Sequence, residues 1–472
     1  MTLAEARRRI AELEVAMSER DVIIEQLRAL LAEQNDRIRV LEERLTQSSQ
    51  NSSKPPSSDG PGVTRPPRSR GKGRKRGGQP GHRGTGRALV ASCDVDAVVM
   101  CRPDVCQGCG TLLMGADPTP LRHQVVEIPP IKPVVTEYQV HQLVCPCCGA
   151  NNVGGLPPGI GASHFGDRVH AMVALLAGGF RLSHREVATA MSGLFNLKLG
   201  LGTVSLIERR MRHALDGIYE EALAFVRTAA VANVDESGWR EAKCRAWLWA
   251  AAAMSVAVYR LDRRRNREAG EALLGEDFGG VIVTDRFGAY NHWQRRGVCW
   301  SHLLRDFTAI AERFGSEWYG VRMAAIAKRI LSAWRTWASG EIDRTALCER
   351  ITPDRKRLHR LLVHAADHAP APKTQRQCTE MLKLEEHFWT FLDIEGVPPT
   401  NNLAERCLRS AVLWRKGSFG TDSAEGSRFV ERILTVVTTR KLQHLDCLEF
   451  LIDARHAYVA GSQPPSLLTV PS

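Results

Sequence analysis

Apolar residues recur every seven positions through the first 45 residues. Leu3, Ile10, Met17, Ile24, Leu31, Ile38 and Leu45 fill one seam; Ala6, Leu13, Arg20, Leu27, Gln34 and Leu41 fill the second. The seam is narrow and its flanks are charged, which favours a coiled coil over 1–47 against a long helix lying on its own protein. Arg20 and Gln34 are polar seam residues of the kind that cost stability but fix register and partner number. Ser, Asn, Asp, Pro and Gly then crowd residues 48–67 and end the helix.

The period changes again further on. Residues 160–228 read as helices: Ser183 and Glu186 make a capping box at the start of one, a Gly-containing turn spans 198–202, and 203–212 open a second with a basic face. This pair is helix-turn-helix-like, and Arg209, Arg210 and Arg212 serve either DNA reading or plain packing. From 229 to 300 the period becomes that of strands. VANVD, RAWLWAAAA and SVAVYRL are three strands in succession; 264–274 is helical, VIVTD is a fourth strand, 288–293 a turn or short helix, and 297–300 a fifth strand. Three strands, helix, strand, helix, strand is the order of a ribonuclease H-like sheet. Residues 301–395 are helical throughout and read as an all-helical insertion, helices resume over 396–460, and 461–472 is a tail. The fold class is multidomain α+β.

Composition adds a partner and a compartment. Net charge is +12 and the isoelectric point is near 9.2, which favours a polyanion. Within the linker at 48–90, the run RPPRSRGKGRKRGGQPGHRGTGR has many cations, Arg70, Lys72, Arg74, Lys75 and Arg76 among them, and no acid. It cannot fold alone. Charge of a single sign favours an arm on the nucleic-acid backbone over a soluble linker. No segment has the layout of a secretory signal, and the longest apolar run, 246–259, is too short and strand-like to span a bilayer, so no membrane role is expected. Thirteen cysteines without an export signal therefore read as thiols or metal ligands in a reducing cytoplasm.

Two cysteine pairs carry the first candidate chemistry. Cys106-Gln-Gly-Cys109-Gly and Cys145-Pro-Cys147-Cys148-Gly are turn-forming knuckles within 91–155, with strands expected between them, as in a zinc ribbon. Cys106, Cys109, Cys145 and Cys148 suit tetrahedral structural zinc. Cys147 and Cys101 compete for the fourth place, and a redox role for one pair is the alternative.

Three acids carry the second. Asp235 and Asp285 end apolar β-branched runs, and Glu405 lies in a helical stretch. Such carboxylates can hold two hard divalent cations against a phosphodiester. Asp235 and Asp285 are expected as neighbours at one edge of the sheet. Glu236 competes with Asp235, but strand alternation lets only one of them serve. Taken singly, an Asp at a strand end is a cap, and Glu405 pairs with Arg409 on a solvated helix face. Arg406, Arg409, Arg415 and Lys416 follow Glu405 closely enough to bind phosphates.

These segments resemble the large transposase of the insertion sequence 66 family, a group of bacterial DDE transposases, over nearly the whole chain. The resemblance rests on QNSSKPPSSDG at 50–60, GGQPGHRG at 77–84, the CxxC region, VDESGWR at 234–240, TDRFGAYN at 284–291, CWSHLLRDF at 299–307 and TNNLAERCLRSAVLWRKGSFGT at 400–421. It implies that Asp235, Asp285 and Glu405 are the catalytic triad holding two Mg²⁺ ions, with His302 and Arg305 near the site. The family often has Asp before the Asn pair; Thr400 stands here, outside the metal shell. The resemblance further implies binding to terminal inverted repeats, strand cleavage and 3′-hydroxyl transfer into target DNA. Homo-oligomers through the coiled coil, small accessory proteins of the same element and a nucleoid-associated cytoplasmic location complete the expectation. A domesticated DNA-binding protein without catalysis shares the arm, zinc region and coiled coil but has no use for all three acids. A ribonuclease H-type nuclease leaves the N-terminal modules unexplained.

Overall fold

The computed structural model describes residues 87–468 together with positions 17, 20, 23–28, 30, 31, 34 and 38. The scattered positions are helical, and Met17, Ile24, Leu31 and Ile38 of the first seam are exposed. The rest of the expected coiled coil, and the arm with Arg70, Lys72, Arg74, Lys75 and Arg76, lie outside the described residues.

The chain divides into two compact units. In the smaller, residues 87–135 with 194–196, Gln124 exchanges hydrogen bonds with both the N–H and the carbonyl of Val90, at 2.8 and 3.0 Å. A bridge between Val105 and Leu112 closes the turn around Cys106. The strands expected along 125–144 are largely missing. Pro129, Pro130 and Pro133 remove the N–H donors a ladder needs. Only Gln142–Val144 (β1) is a strand, paired antiparallel with Asn151–Val153 (β2) in the larger unit.

The larger unit opens with helices α1 (Asp167–Ala174), α2 (His184–Phe195) and α3 (Leu201–Arg227). The capping box forms as read: Glu186 accepts from the Ser183 N–H at 2.8 Å and Ser183 Oγ from the Glu186 N–H at 3.3 Å. The sheet follows with β3 (Val231–Glu241), β4 (Cys244–Ala253), β5 (Val256–Asp262), α4 (Arg267–Leu274), β6 (Val281–Thr284) and β7 (Arg296–Val298). Its spatial order is β5-β4-β3-β6-β7, antiparallel across the first three strands and parallel from β3 to β7. Element order is as the sequence suggests, while boundaries move. β3 continues past Asp235 because it pairs with β4 from Asn233–Ala252 to Glu241–Cys244. The helix expected from 264 starts at Arg267, where Asn266 caps the Ala269 N–H.

The sheet carries a core on each side of its centre. Trp239, Leu248, Ala250, Ala252 and Tyr259 pack on α10 (Asn402–Ser418) and α11 (Ala424–Leu442). Val281, Val283 and Val298 instead pack with α5 (Trp300–Ala311), α6 (Glu317–Ala338), α7 (Arg344–His368), α8 (Pro372–Leu382) and α9 (Thr390–Asp393). Helix α12 (Leu448–Ala460) lies on α1 and α3. The helices of 160–228 also join this body: α3 buries Val204, Ile207, Met211, Leu215 and Ile218 and packs on α11 and β5.

Edge strand β5 presents alternate N–H groups that have no neighbouring strand, and α11 satisfies them. Thr439 Oγ1, Thr435 Oγ1 and Glu431 Oε1, spaced one helical turn apart, accept from Ala257, Tyr259 and Leu261 at 3.0, 3.3 and 2.7 Å. A helix face thus stands in for a sixth strand.

Helices α5 and α6 meet at Gly320, where an added Cβ would lie 2.0 Å from the backbone N of Ala311. Gly320→Ala is expected to lower stability by about 1–3 kcal/mol through overpacking. Gly217→Ala, with open space around it on α3, should gain about 0.5–1 kcal/mol from helix propensity. Thermal or urea unfolding of the two variants side by side checks this; equal midpoints contradict it.

Candidate active site

The parallel pairing of β3 with β6 sets Val231 opposite Val281, Ala232 opposite Ile282 and Asn233 opposite Val283. Two residues further along that register, Asp235 is level with Asp285. β6 stops at Thr284 while β3 runs on, so Asp285 leaves the sheet beside Asp235. The Asp285 turn is held from both sides: its Oδ1 accepts the Phe287 N–H at 2.8 Å, and buried Arg296 donates to its carbonyl, to Thr284 Oγ1 at 3.0 Å and to Asn291 Oδ1 at 2.8 Å.

Glu405 arrives on the first turn of α10, which is tied along β3. At its start Asn401 Nδ2 donates to the Val234 carbonyl at 2.7 Å, and Asn233 Nδ2 donates to Asn401 Oδ1 at 3.1 Å. In its last turns Arg415 donates to the Gly238 carbonyl and to Ser237 Oγ. Just past its end Thr421 pairs with Arg240 and Ala242 through backbone bonds of 2.9 and 2.8 Å.

The two adjacent acids of β3 part as strand alternation requires. Glu236 accepts from Arg265 Nε and Nη2 at 2.9 and 2.7 Å and from the Tyr290 hydroxyl at 2.6 Å, so its charge is already matched. Asp235 accepts only its neighbour's N–H among the hydrogen bonds seen, at 2.9 Å from Glu236 N. Burial, followed by repulsion from Glu236, Asp285 and Glu405, raises the Asp235 carboxyl well above the usual range. Burial also raises Glu405, against the pull of Arg305 and with the push of Asp285. The three acids named from sequence therefore stand close enough to repel one another.

His302 Nδ1 and Arg305 Nη2 sit 3.5 and 3.6 Å from Glu405 Oε1. Burial and the Arg305 charge push His302 down to about 4, so its ring is neutral at pH 7. His302 Nδ1 and Glu405 Oε1 are both buried without a hydrogen-bond partner. Acceptor-only oxygens that repel one another, one of them without a hydrogen bond, fit a hard divalent cation, which would relieve the repulsion. Cys299 Sγ lies within 4.8 Å of the His302 and Glu405 ligand atoms, but it already accepts the Asn401 N–H at 3.1 Å.

The cysteine knuckles share one geometry. Cys106 N donates to Thr111 O and Gly110 N to Cys106 O, at 2.8 and 2.9 Å; Cys145 N to Ala150 O and Gly149 N to Cys145 O repeat those distances. Gly110 and Gly149 both adopt left-handed φ, +73° and +72°. Hydrogen bonds from Thr111 lower the Cys109 thiol, and those from Cys148 and Cys147 lower Cys145. Both pairs suit thiolate ligation of zinc.

Of the cations named from sequence, Arg209, Arg406, Arg409 and Lys416 are exposed, and Arg210 is half-buried. Arg212 pairs with Glu425 at 3.2 Å, and Arg415 is committed to β3. Sequence reasoning missed Asn233, Asn401, Arg265, Tyr290 and Arg296, which position the acids. Asn233 left one trace, a polar residue inside the apolar run VANVD.

The comparisons with known proteins place the chain among transposases. The Transposase IS66 family matches residues 163–428, more than half of the chain and inclusive of all three acids. The zinc-finger binding domain of transposase IS66 matches 103–149, inclusive of both knuckles, and a family of unknown function matches 2–88. The chain belongs to the Transposase IS66 family, and the zinc-finger match supports structural zinc. It is similar to Uncharacterized protein y4jD of Sinorhizobium fredii, 24% identical over 300 residues, which span 57% of this chain and 58% of that protein. No helix among the described residues is long and apolar enough to cross a membrane.

The raised Asp235 carboxyl sets a pH dependence. The native state keeps a proton that the unfolded chain has already released, so without cations the fold loses stability as pH rises from the ordinary Asp value through the raised one. Asp235→Asn cannot ionise and should flatten that slope. Melting temperature against pH in chelator, compared between wild type and variant, is the measurement; identical slopes contradict the assignment.

Proposed function

We propose that this protein is a DDE transposase with a ribonuclease H-like catalytic core, which binds the terminal inverted repeats of its own element, cleaves strands there and joins the 3′-hydroxyl ends to target DNA. The observation that carries the reading is the convergence of Asp235, Asp285 and Glu405, with a buried Glu405 oxygen that has no hydrogen-bond partner. When bound, two Mg²⁺ ions would supply Lewis acidity at the attacking and leaving oxygens. The three carboxylates would hold them, and Glu236 would stay out of the set because Arg265 and Tyr290 occupy it. Arg305 adds positive charge beside Glu405, and neutral His302 does not compete with the cations. Arg406, Arg409 and Lys416 are exposed on α10, Arg406 and Arg409 within about a turn of Glu405 and Lys416 in the last turn, available to DNA phosphates along the helix.

The remaining modules serve DNA and assembly in this reading. Cys106, Cys109, Cys145 and Cys148 hold structural zinc, the basic arm and Arg209 and Arg210 bind DNA backbone, and the heptad segment pairs copies so that both element ends are held together. Small accessory proteins of the same element are further partners, and the setting is the bacterial cytoplasm at the nucleoid.

Strand transfer by purified protein with Mg²⁺ and a labelled fragment bearing the terminal repeat tests this. Joined product is expected from wild type. Asp235→Ala, Asp285→Ala and Glu405→Ala should fall to the level of a no-enzyme control while keeping end binding. Loss of end binding in all three would make the acids structural and sink the assignment.

A further inference from the structure

A pocket of about 470 Å³ opens between α6 and α7, in the helical insertion. Its wall is Trp318, Arg322 and Arg329 from α6 and Arg357, Arg360 and His364 from α7, over an aliphatic floor. Trp318 is 52% exposed, a costly state for so large an apolar surface. The Arg322 guanidinium lies over its ring at 4.0 Å. Across the pocket, Asp354 is buried and accepts Arg329 Nε and Nη2 at 2.9 and 2.6 Å, with Arg357 Nη1 at 3.5 Å. The Tyr319 hydroxyl and His364 Nδ1 are 2.7 Å apart, which orients the imidazole.

One buried carboxylate thus locks two of the arginines in place, and the wall as a whole stays positive. The ligand this surface matches is flat and aromatic on one side and anionic on the other. A bare phosphate would leave Trp318 and the floor unused. An apolar protein face would strip water from four guanidiniums and offer no acceptor in return. A base lifted from its stack, still joined to its phosphates, satisfies both halves. We propose that this pocket captures one unstacked nucleotide of DNA, with its base stacking against the Trp318–Arg322 pair and Arg329, Arg357 and Arg360 holding the adjoining phosphates. The proposal rests on the DNA reading above and adds a recognition site to it. Helix α6 packs directly on α5, which carries His302 and Arg305, so the captured nucleotide would sit on the immediate neighbour of a helix that faces the carboxylates.

The test uses the full-length protein and two duplexes of one sequence, one fully paired and one with a single looped-out 2-aminopurine. Wild type should bind the looped duplex about tenfold more tightly and quench the 2-aminopurine, in line with the scale of base–aromatic stacking. Trp318→Ala should lose both the preference and the quenching and keep its affinity for paired DNA, which also controls for folding. Trp318→Phe should recover part of each. An Arg357→Ala/Arg360→Ala double variant should weaken binding to the looped duplex and lessen its salt dependence. Wild type that binds paired DNA without preferring the loop, or Trp318→Ala that keeps the preference, overturns the pocket assignment alone. Wild type that binds neither duplex overturns the DNA reading as well. A Trp318→Ala variant with unchanged DNA preference and a smaller sedimenting mass assigns the patch to contact between copies instead.

Discussion

The site depends on one constraint: α10 cannot slide along β3. Asn401 and Asn233 bind the start of the helix to the strand, Arg415 binds its last turns, and Thr421 binds the chain that leaves it. A helix held at one end keeps rotational freedom, and a shift of one residue turns it by about 100°. Held along its length, it fixes the direction of Glu405 relative to Asp235. The buried asparagine pair matters most, because its groups are out of reach of water. Removing either amide leaves a strand carbonyl or a partner amide unsatisfied, at a cost of about 1–3 kcal/mol.

That fastening must be strong because the acids oppose it. Asp235 is half-buried among three other carboxylates; Glu236 is matched by Arg265 and Tyr290, and Glu405 has Arg305 3.6 Å away, while Asp235 has no such cation beside it among the ion pairs of the described residues. Without a cation the protein keeps repelling groups together through bonds made elsewhere, and it is the surrounding packing that prevents their relaxation. The Arg286–Asp306 pair, at 2.6 and 2.9 Å, does the same on the far side of Asp285 by joining its turn to α5. Preorganisation of this kind would let a divalent cation relieve repulsion already present, with little movement of the backbone.

Much of this was legible from residues because it depends on period and spacing. Apolar, β-branched runs in VANVD and VIVTD gave the strands, and their order gave the sheet neighbours that bring Asp235 and Asp285 level. The rule that adjacent strand residues face opposite sides separated Asp235 from Glu236, and the Ser183–Glu186 box was readable as a four-residue pattern. What failed to show were long-range polar pairs. Asn233 with Asn401, Glu236 with Tyr290 and Arg415 with Gly238 have partners set by the fold, not by nearby sequence. Arg415 illustrates the limit: beside Lys416 it looked like a second solvent-facing cation, yet the helical turn directs it onto β3. Residues 125–141 form no strand, although their apolar pattern suggests one, because a ladder does not tolerate Pro129, Pro130 and Pro133.

The insertion explains how acids so far apart in sequence share a site. Between Asp285 and Glu405 the chain passes through α5 to α9 and returns to where it left. The Trp300 N–H donates to the Pro399 carbonyl at 2.8 Å, and the Asn401 N–H to Cys299 Sγ at 3.1 Å, so entrance and exit are bonded to each other. An insertion whose ends meet leaves the sheet's geometry intact whatever its length. This one is not independent, however. Its apolar core includes Val281, Val283 and Val298 of the sheet, and Trp300 Nε1 reaches the Phe388 carbonyl at 2.7 Å within it. Packing among these helices therefore sets where α5 sits, and α5 carries the His302 and Arg305 that flank Glu405. A group bound on α6 would act on that same packing, which gives the insertion a physical route to the carboxylates without contributing one of them.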